Sequence, residues 1–553
     1  MKSNLEIAQE AVLKPIGEIA DSIGIQPDEL EPYGHYKAKV SLSVIDRLKD
    51  SPNAKIVCVA GINPTKAGEG KTTTSVSLTQ GLGRIGKKPV LCLREASLGP
   101  VFGIKGGAAG GGYTQVVPME DMNLHFTGDM HAVGAANNLL AALIDSHLLH
   151  GNVCNIDPLQ ITWRRAIDIN DRALRDIAVG LGGKANGYPR QTGFDITAAS
   201  EVMAILALAR DISDLRERLG AITIGYTYDG KPVTAEDVKA AGSMAVLLKD
   251  AIKPNLIQTL EGQPVLMHAG PFANIAHGNS SLVADYVGMK LGEYVVTESG
   301  FGSDMGMEKF FDIVCRHGKL KPSAVVLVTT VRALKHHGGL EDGVDEKKAL
   351  EDGSENLRRH VEIVKEFGLP CVVAVNKRPE DTDAEVEWLK NKALEYGAYK
   401  SEINDGFAKG GDGALELAQA VVDACDQPNT FDFIYKDDAS IEEKITAVAK
   451  RVYGADGVTL LPAARKKIKQ FTADGLDKLP VCMAKTQYSL SSDPKLLNAP
   501  TGFNITVRDI RAYTGAGFLV PLCGEIMQMP GLGKKPAAFD IDIASDGEIS
   551  GLF

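Results

Sequence analysis

Lys71 and Thr72 close a glycine-rich stretch, Thr65-Lys-Ala-Gly-Glu-Gly-Lys71-Thr72, that follows a β-branched run at 55–60 and opens a helical pattern reaching about residue 86. In the order strand, loop, helix, backbone amides and a helix N-terminus turn toward an anion. Lys71 adds a mobile charge for terminal phosphates, and the Thr72 hydroxyl is placed for the Mg²⁺ of Mg-ATP. An ATP-binding loop is therefore expected from Thr65, Lys66, Ala67, Gly68, Glu69, Gly70, Lys71 and Thr72. The spacing is unusual, because Thr65 stands where GxxxxGK(S/T) has its first Gly. A plain Gly-rich turn is the competing reading, and the strand before it and the helix after it argue against that. Two look-alikes fail on context. Gly81-Leu-Gly-Arg-Ile-Gly86 spells GxGxxG but ends a helix instead of following a strand, so it reads as a helix cap and turn. Asn376-Lys377 is similar to a guanine-reading pair, but Pro379 stands where its Asp belongs.

The next strand, 89–93, ends in Arg94-Glu95, at the sheet edge where ligands of parallel sheets gather. Arg94 offers planar, bidentate bonding to a carboxylate or acyl phosphate. Glu95 either holds a cation or pairs with Arg94. Six of the ten residues from 103 to 112 are Gly, which lets backbone approach a ligand closely. His147/His150 and His336/His337 lack a third ligand at metal-binding spacing, so surface or supporting roles are expected. The loop itself is similar to that of partitioning and nitrogenase-reductase-type ATPases, which carry Asp-x-Asp where this chain has Arg94-Glu95. A switch ATPase acting on a macromolecular partner is thus the runner-up reading, and an anion-handling enzyme the leading one.

Short apolar runs at 55–60, 89–93, 221–226, 264–268, 294–297, 324–330 and 371–376 alternate with amphipathic stretches. The fold class expected is α/β: a P-loop NTPase-like large domain with a mostly parallel sheet, plus two smaller α/β domains. Val202, Ile205, Leu206, Ala209, Ile212 and Leu215 recur at the period of one core-facing helix. Charge is dense at 341–352, where eight of twelve residues are ionic, and texture changes again after 454–457. Domains are accordingly expected at 1–355, 356–456 and 457–553. With 60 Lys+Arg against 71 Asp+Glu, the net charge of −11 disfavours general binding to nucleic acid or anionic membrane. No run reaches the ~18 continuous apolar residues of a membrane span, and the first ten residues lack a secretory core. Eight cysteines at least 34 residues apart indicate neither zinc ribbon nor disulfide scaffold.

The tract 103–113 and Val328-Thr-Thr-Val-Arg-Ala-Leu-Lys-His-His-Gly-Gly339 resemble the two signatures of formate–tetrahydrofolate ligases (10-formyltetrahydrofolate synthetases), with Thr329 where that family usually has Ala. Segments 117–129, 162–166, 182–187, 270–277, 483–489 and 529–532 extend the resemblance across the chain. It implies ATP-dependent joining of formate to N10 of tetrahydrofolate through formyl phosphate. Lys71 and Arg94 are then catalytic, Arg94 holding formyl phosphate, and Glu95 belongs to a K⁺ or NH₄⁺ site. Asp129 and His131 are candidates for orienting formate or N10. The family stacks the pterin between two aromatic rings. Phe407 matches one, where Trp is commoner, while Arg378, before Pro379, replaces the other, so a guanidinium plane would stand in for a ring. Lys66 also departs from the family, which has an apolar residue or Pro in that part of the loop. The resemblance further implies a homotetramer, while charge, composition and the first ten residues point to a cytoplasmic protein with no nucleic-acid or membrane partner.

Overall fold

The computed structural model describes residues 2–104 and 109–552, so Lys105 to Ala108 of the glycine tract lie outside the described residues. One large sheet organises the chain. Its strands lie side by side in the order Leu30–Pro32, Ala38–Val40, Asn255–Thr259, Pro264–Met267, Pro89–Leu93, Tyr294–Gly302, Lys55–Gly61, Pro322–Thr329, Cys371–Asn376, Lys400–Asn404. Every pairing from Pro264–Met267 onward is parallel, and the first three strands add an antiparallel edge. A hairpin, Gly110–Gly111 with Thr114–Val117, docks on Asn255–Thr259. The central strands are near-continuous apolar runs because helices cover both faces. Ile56, Cys58 and Ala60 enter one core while Val57 and Val59 enter the other, with Val76, Leu78 and Leu82 of the helix Lys71–Arg84. The period-2 alternation of a strand makes that division.

The expected strands at 55–60, 89–93, 264–268, 294–297, 324–330 and 371–376 all lie in this sheet. The run at 221–226 does not. Thr223–Tyr226 pairs with Pro232–Thr234 in a separate two-stranded ribbon. The stripe from Val202 to Leu215 is two helices, Glu201–Leu208 and Ile212–Gly220, rather than one. Ala209 is extended, and the Asp211 side chain accepts from Asp214 N–H at 2.8 Å, starting a new helix and turning Ile212 outward. An Asp at that position competes for backbone donors more effectively than hydrophobic spacing can enforce continuity. The helix Glu346–Glu366 runs across 355/356, and Cys371–Asn376 and Lys400–Asn404 continue the main sheet. Farther on, Gly457–Leu460 pairs parallel with Asn504–Val507, and Asp509–Tyr513 antiparallel with Phe518–Leu522. The helix Asp129–Leu149 is long and apolar enough to cross a membrane by length and composition, yet Val133, Leu140, Ile144 and Leu148 bury one side of it in the core.

Candidate active site

The loop after Lys55–Gly61 turns on two glycines. Gly68 (φ 74°) and Gly70 (φ 73°) are left-handed, a conformation costly for residues with a Cβ. A Cβ on Gly70 would also sit 2.8 Å from Asn376 Nδ2. That amide donates to the carbonyls of Glu69 (2.8 Å) and Gly70 (3.1 Å), while its oxygen accepts from Thr74 Oγ1 (2.8 Å) and Asn404 Nδ2 (2.6 Å). Asn376 therefore clamps the loop, while Lys377 pairs with Asp383 (2.7 Å). Buried Glu69 fastens it from inside, accepting from Thr65 N–H (2.9 Å), Thr65 Oγ1 (2.7 Å) and Thr330 Oγ1 (2.6 Å). Burial works to raise the Glu69 carboxyl, but the bonds from Thr330 and Thr65 outweigh it and hold it below the usual carboxylate range. From outside, Arg332 (2.7 Å) and Arg378 (3.2 Å) both donate to the Gly68 carbonyl.

So held, the loop and the helix Lys71–Arg84 border a cavity of about 320 Å³ lined by Lys71, Thr72, Thr73, Arg94, Gly110 and Glu298. The Lys71 ammonium makes no hydrogen bond to the protein among the described residues. Burial pushes its pKa down, with the Arg94 charge adding to that and Glu298 opposing it. A second cavity of about 210 Å³ adjoins the first through Thr72, Arg94 and Glu298, and reaches Glu95, Ser97 and Gly270. Arg94 spends one donor on the Pro271 carbonyl (3.1 Å). Gly300 makes room for it, since a Cβ there would lie 3.2 Å from the guanidinium and 2.6 Å from Ala273 Cβ. Arg94 lines both cavities.

Glu95 makes no ion pair with Arg94 among the described residues. Its Oε1 accepts from Asn255 Nδ2 (2.7 Å), which also donates to Asp129 Oδ2 (2.9 Å). Lys39, buried on Ala38–Val40, donates to the same Asp129 carboxylate (2.9 Å) and to Asn255 Oδ1 (3.0 Å). Burial, reinforced by the Asp129 charge, drives the Glu95 carboxyl well above its ordinary range. His131 is exposed, and with Glu95, His125 and Asp129 it lines a cavity of about 100 Å³. Phe407 lies apart from these residues. Its ring is partly exposed, its carbonyl accepts from Tyr113 N–H (3.0 Å), and a Cβ on Gly112 would come within 2.0 Å of that oxygen. Pro379 is exposed. Neither Phe407 nor Arg378 is among the described residues lining the two larger loop-side cavities. Of the four histidines weighed as metal ligands, His147 accepts from Cys154 N–H, His150 meets Ser146 O, His336 pairs with Glu341, and His337 is buried.

The sequence does not single out Glu298, Lys39 or Asn255, and it offers Asn376 only as half of a failed guanine-reading pair. Glu298 had a usable signal: an acidic residue directly after the run 294–297, at the same sheet edge as Lys71 and Arg94. Lys39 and Asn255 had none, because only the antiparallel edge of the sheet brings them beside Asp129.

Residues 2–553 match the formate–tetrahydrofolate ligase family. A formate–tetrahydrofolate ligase of Desulforamulus reducens is 57% identical over 562 aligned positions, covering 100% of this chain and 99% of its own length. One of Symbiobacterium thermophilum is 56% identical over 557, with 100% of both chains covered.

Proposed function

The chain belongs to the formate–tetrahydrofolate ligase family and is a ligase joining formate to tetrahydrofolate, and from that premise we propose that it uses ATP and proceeds through formyl phosphate at the Lys71–Arg94–Glu298 cavities. The observation that carries this is the pair of adjoining cavities sharing Thr72, Arg94 and Glu298. On this reading the large domain is P-loop NTPase-like. The phosphates lie on the loop amides, and Lys71 neutralises charge as the γ-phosphoryl moves. A formate oxygen attacks the γ-phosphorus, the bond to the β-phosphate oxygen breaks, and ADP leaves. Formyl phosphate stays on Arg94. N10 of the folate then attacks the formyl carbon, phosphate departs with the C–O bond electrons, and N10 gives up its proton. Thr72 would hold Mg²⁺, which neutralises charge between the β- and γ-phosphates.

The Glu95 cluster fits a monovalent cation. Two carboxylates, Glu95 and Asp129, face one ammonium, Lys39, in a buried setting, so one further positive charge balances them. K⁺ or NH₄⁺ held there would supply the positive charge that favours the ionised Glu95 carboxylate against the rise that burial and Asp129 impose. Asp129 and His131 orient the substrate from the far side of that cluster. The pterin packs on the exposed Phe407 ring, with the Arg378 plane and Pro379 toward its other face. The same reading carries a cytoplasmic homotetramer, which sedimentation equilibrium tests.

Phosphate release from Mg-ATP, measured with neither substrate, with formate, with tetrahydrofolate and with both, decides the reading. Release that needs both, in step with 10-formyltetrahydrofolate, is expected. Release indifferent to formate and folate overturns it.

A further inference from the structure

The phosphate loop is anchored at its root as firmly as at its tip. Asn63, two residues after the strand Lys55–Gly61, is fully buried and has every polar atom engaged. Its N–H donates to His360 Nε2 (3.1 Å), and its carbonyl meets His337 Nε2 (2.9 Å). Asn356 Nδ2 donates to its Oδ1 (3.0 Å), and its own Nδ2 donates to Asp304 Oδ1 and to the Gln487 carbonyl (3.3 Å each). Burial pushes both histidines far down, to about 4 for His337 and about 3 for His360, so each is neutral with one N–H. His360 Nε2 lies within reach of both the N–H (3.1 Å) and Oδ1 (3.0 Å) of Asn63, and its Nδ1 meets Ser303 Oγ (2.7 Å). For His337, donor accounting fixes the tautomer. His337 donates from Nε2 and accepts at Nδ1 from Asn498 N–H (3.2 Å).

The other end of this network belongs to the C-terminal part of the chain. Lys485 Nζ contacts Asp304 Oδ2 at 2.7 Å, with both side chains at 0% exposure, and also donates to the carbonyls of Thr486 (3.0 Å) and Ser489 (2.5 Å). Asn356 Nδ2 also donates to the Asn498 carbonyl (2.7 Å). Residues 485–498 therefore reach, through Asp304, Gln487, His337 and Asn356, a single loop residue 424 positions from Gln487. A buried ion pair is a poor way to gain stability, because apolar residues of equal volume hold a core as well. What it does fix is the place and direction of a polar atom, here the Asp304 oxygen that takes the Asn63 amide.

We propose that Lys485 and Asp304, with His337, His360 and Asn356, are positioning residues for the nucleotide phosphates: the 485–498 segment sets where Asn63 sits and so where the loop amides and Lys71 point. None of them lines either loop-side cavity. The proposal gives a role to two motifs, 336–337 and 483–489, that the loop chemistry leaves unused, and it rests on the reading of the loop as the ATP site.

The test replaces the ion pair by an apolar pair, D304L/K485M, in the full-length enzyme. Thermal midpoint, kcat, and KM for ATP, formate and tetrahydrofolate are measured beside wild type. The expected result is a folded protein with KM for ATP raised roughly tenfold or more and the other two KM values within about twofold. An unchanged KM for ATP in a folded variant overturns the proposal, and so does an equal rise for all three substrates. If the double variant fails to fold, His337→Leu serves instead, cutting the link from Asn498 to the Asn63 carbonyl, with the same KM pattern expected and the same outcomes against it. Wild type that turns over no ATP in the presence of formate and folate defeats the ATP reading itself, a failure visible before any variant is made.

Discussion

Two desolvated lysines, half-buried Lys71 and fully buried Lys485, meet opposite treatment in the same fold. Lys485 has a carboxylate and two carbonyls within hydrogen-bond reach and opens on nothing. Lys71 has no hydrogen-bonded partner among the described residues, only the charges of Glu298, Glu69 and Arg94 nearby, and faces a cavity. Burial lowers the pKa of both, so both ammonium groups are held at a cost in solvation. For Lys485 the protein itself offsets that cost. For Lys71 no described residue offsets it by a hydrogen bond, and the ammonium faces a cavity. The contrast teaches that unsatisfied donors, more than burial, single out Lys71 as the cation to test for catalysis.

The sharpest way to break this contrast is to give each lysine an apolar isostere. Lys71→Met is expected to lower formate- and folate-dependent phosphate release about a thousandfold, with a urea midpoint no lower than wild type. Lys485→Met leaves Asp304 buried and uncompensated, so urea denaturation should show a loss of about 3–5 kcal/mol. A stability loss in Lys71→Met equal to that of Lys485→Met would erase the distinction. Next in size is Arg94→Ala. ATP affinity by calorimetry should hold while formate-dependent turnover falls roughly a hundredfold or more, and normal formate-dependent turnover would remove Arg94 from its role.

Glu95→Gln probes the cation cluster beside the cavity. Removing one of the two carboxylates facing Lys39 should flatten the response of turnover to K⁺ or NH₄⁺, read as rate against salt with Na⁺ as the control. A response as steep as wild type would move the cation elsewhere.

The smallest effect concerns acid. His337 and His360 stay neutral in the fold down to about 4 and about 3, whereas in the unfolded chain they take up protons near 6.5. Between those values the unfolded state binds more protons, so stability is full above about pH 6.5 and falls as pH drops through the window. His360→Gln should make that fall shallower by about one proton's worth, read from urea midpoints between pH 7 and pH 4. A slope identical to wild type would show that His360 is not part of the neutral network.

The parallel strands were legible because two-sided burial writes them as continuous apolar runs, and the loop was legible because φ-positive glycines and a Lys-Thr pair sit between strand and helix. The helical stripe at 202–215 misled because periodicity reports which face is apolar but not whether Asp211 will cap a new helix inside it. The resemblance casts Arg378 as a substitute for a stacking ring, and what the fold shows of it is a hydrogen bond to the Gly68 carbonyl shared with Arg332.

By itself the sequence determined the family and the residues on offer: a Gly-rich loop ending in Lys71-Thr72 between strand and helix, and Arg94 at the next strand end. Only the tertiary structure decided which groups complete them. Glu298 reaches the loop because Tyr294–Gly302 lies between the Lys55–Gly61 and Pro89–Leu93 strands. Lys39 reaches Asp129 through the antiparallel edge, and Lys485 reaches Asn63 from the far end of the chain. Local sequence encodes strands, turns and caps through nearest-neighbour forces. A hydrogen bond or ion pair spanning hundreds of residues exists only once the sheet order is set.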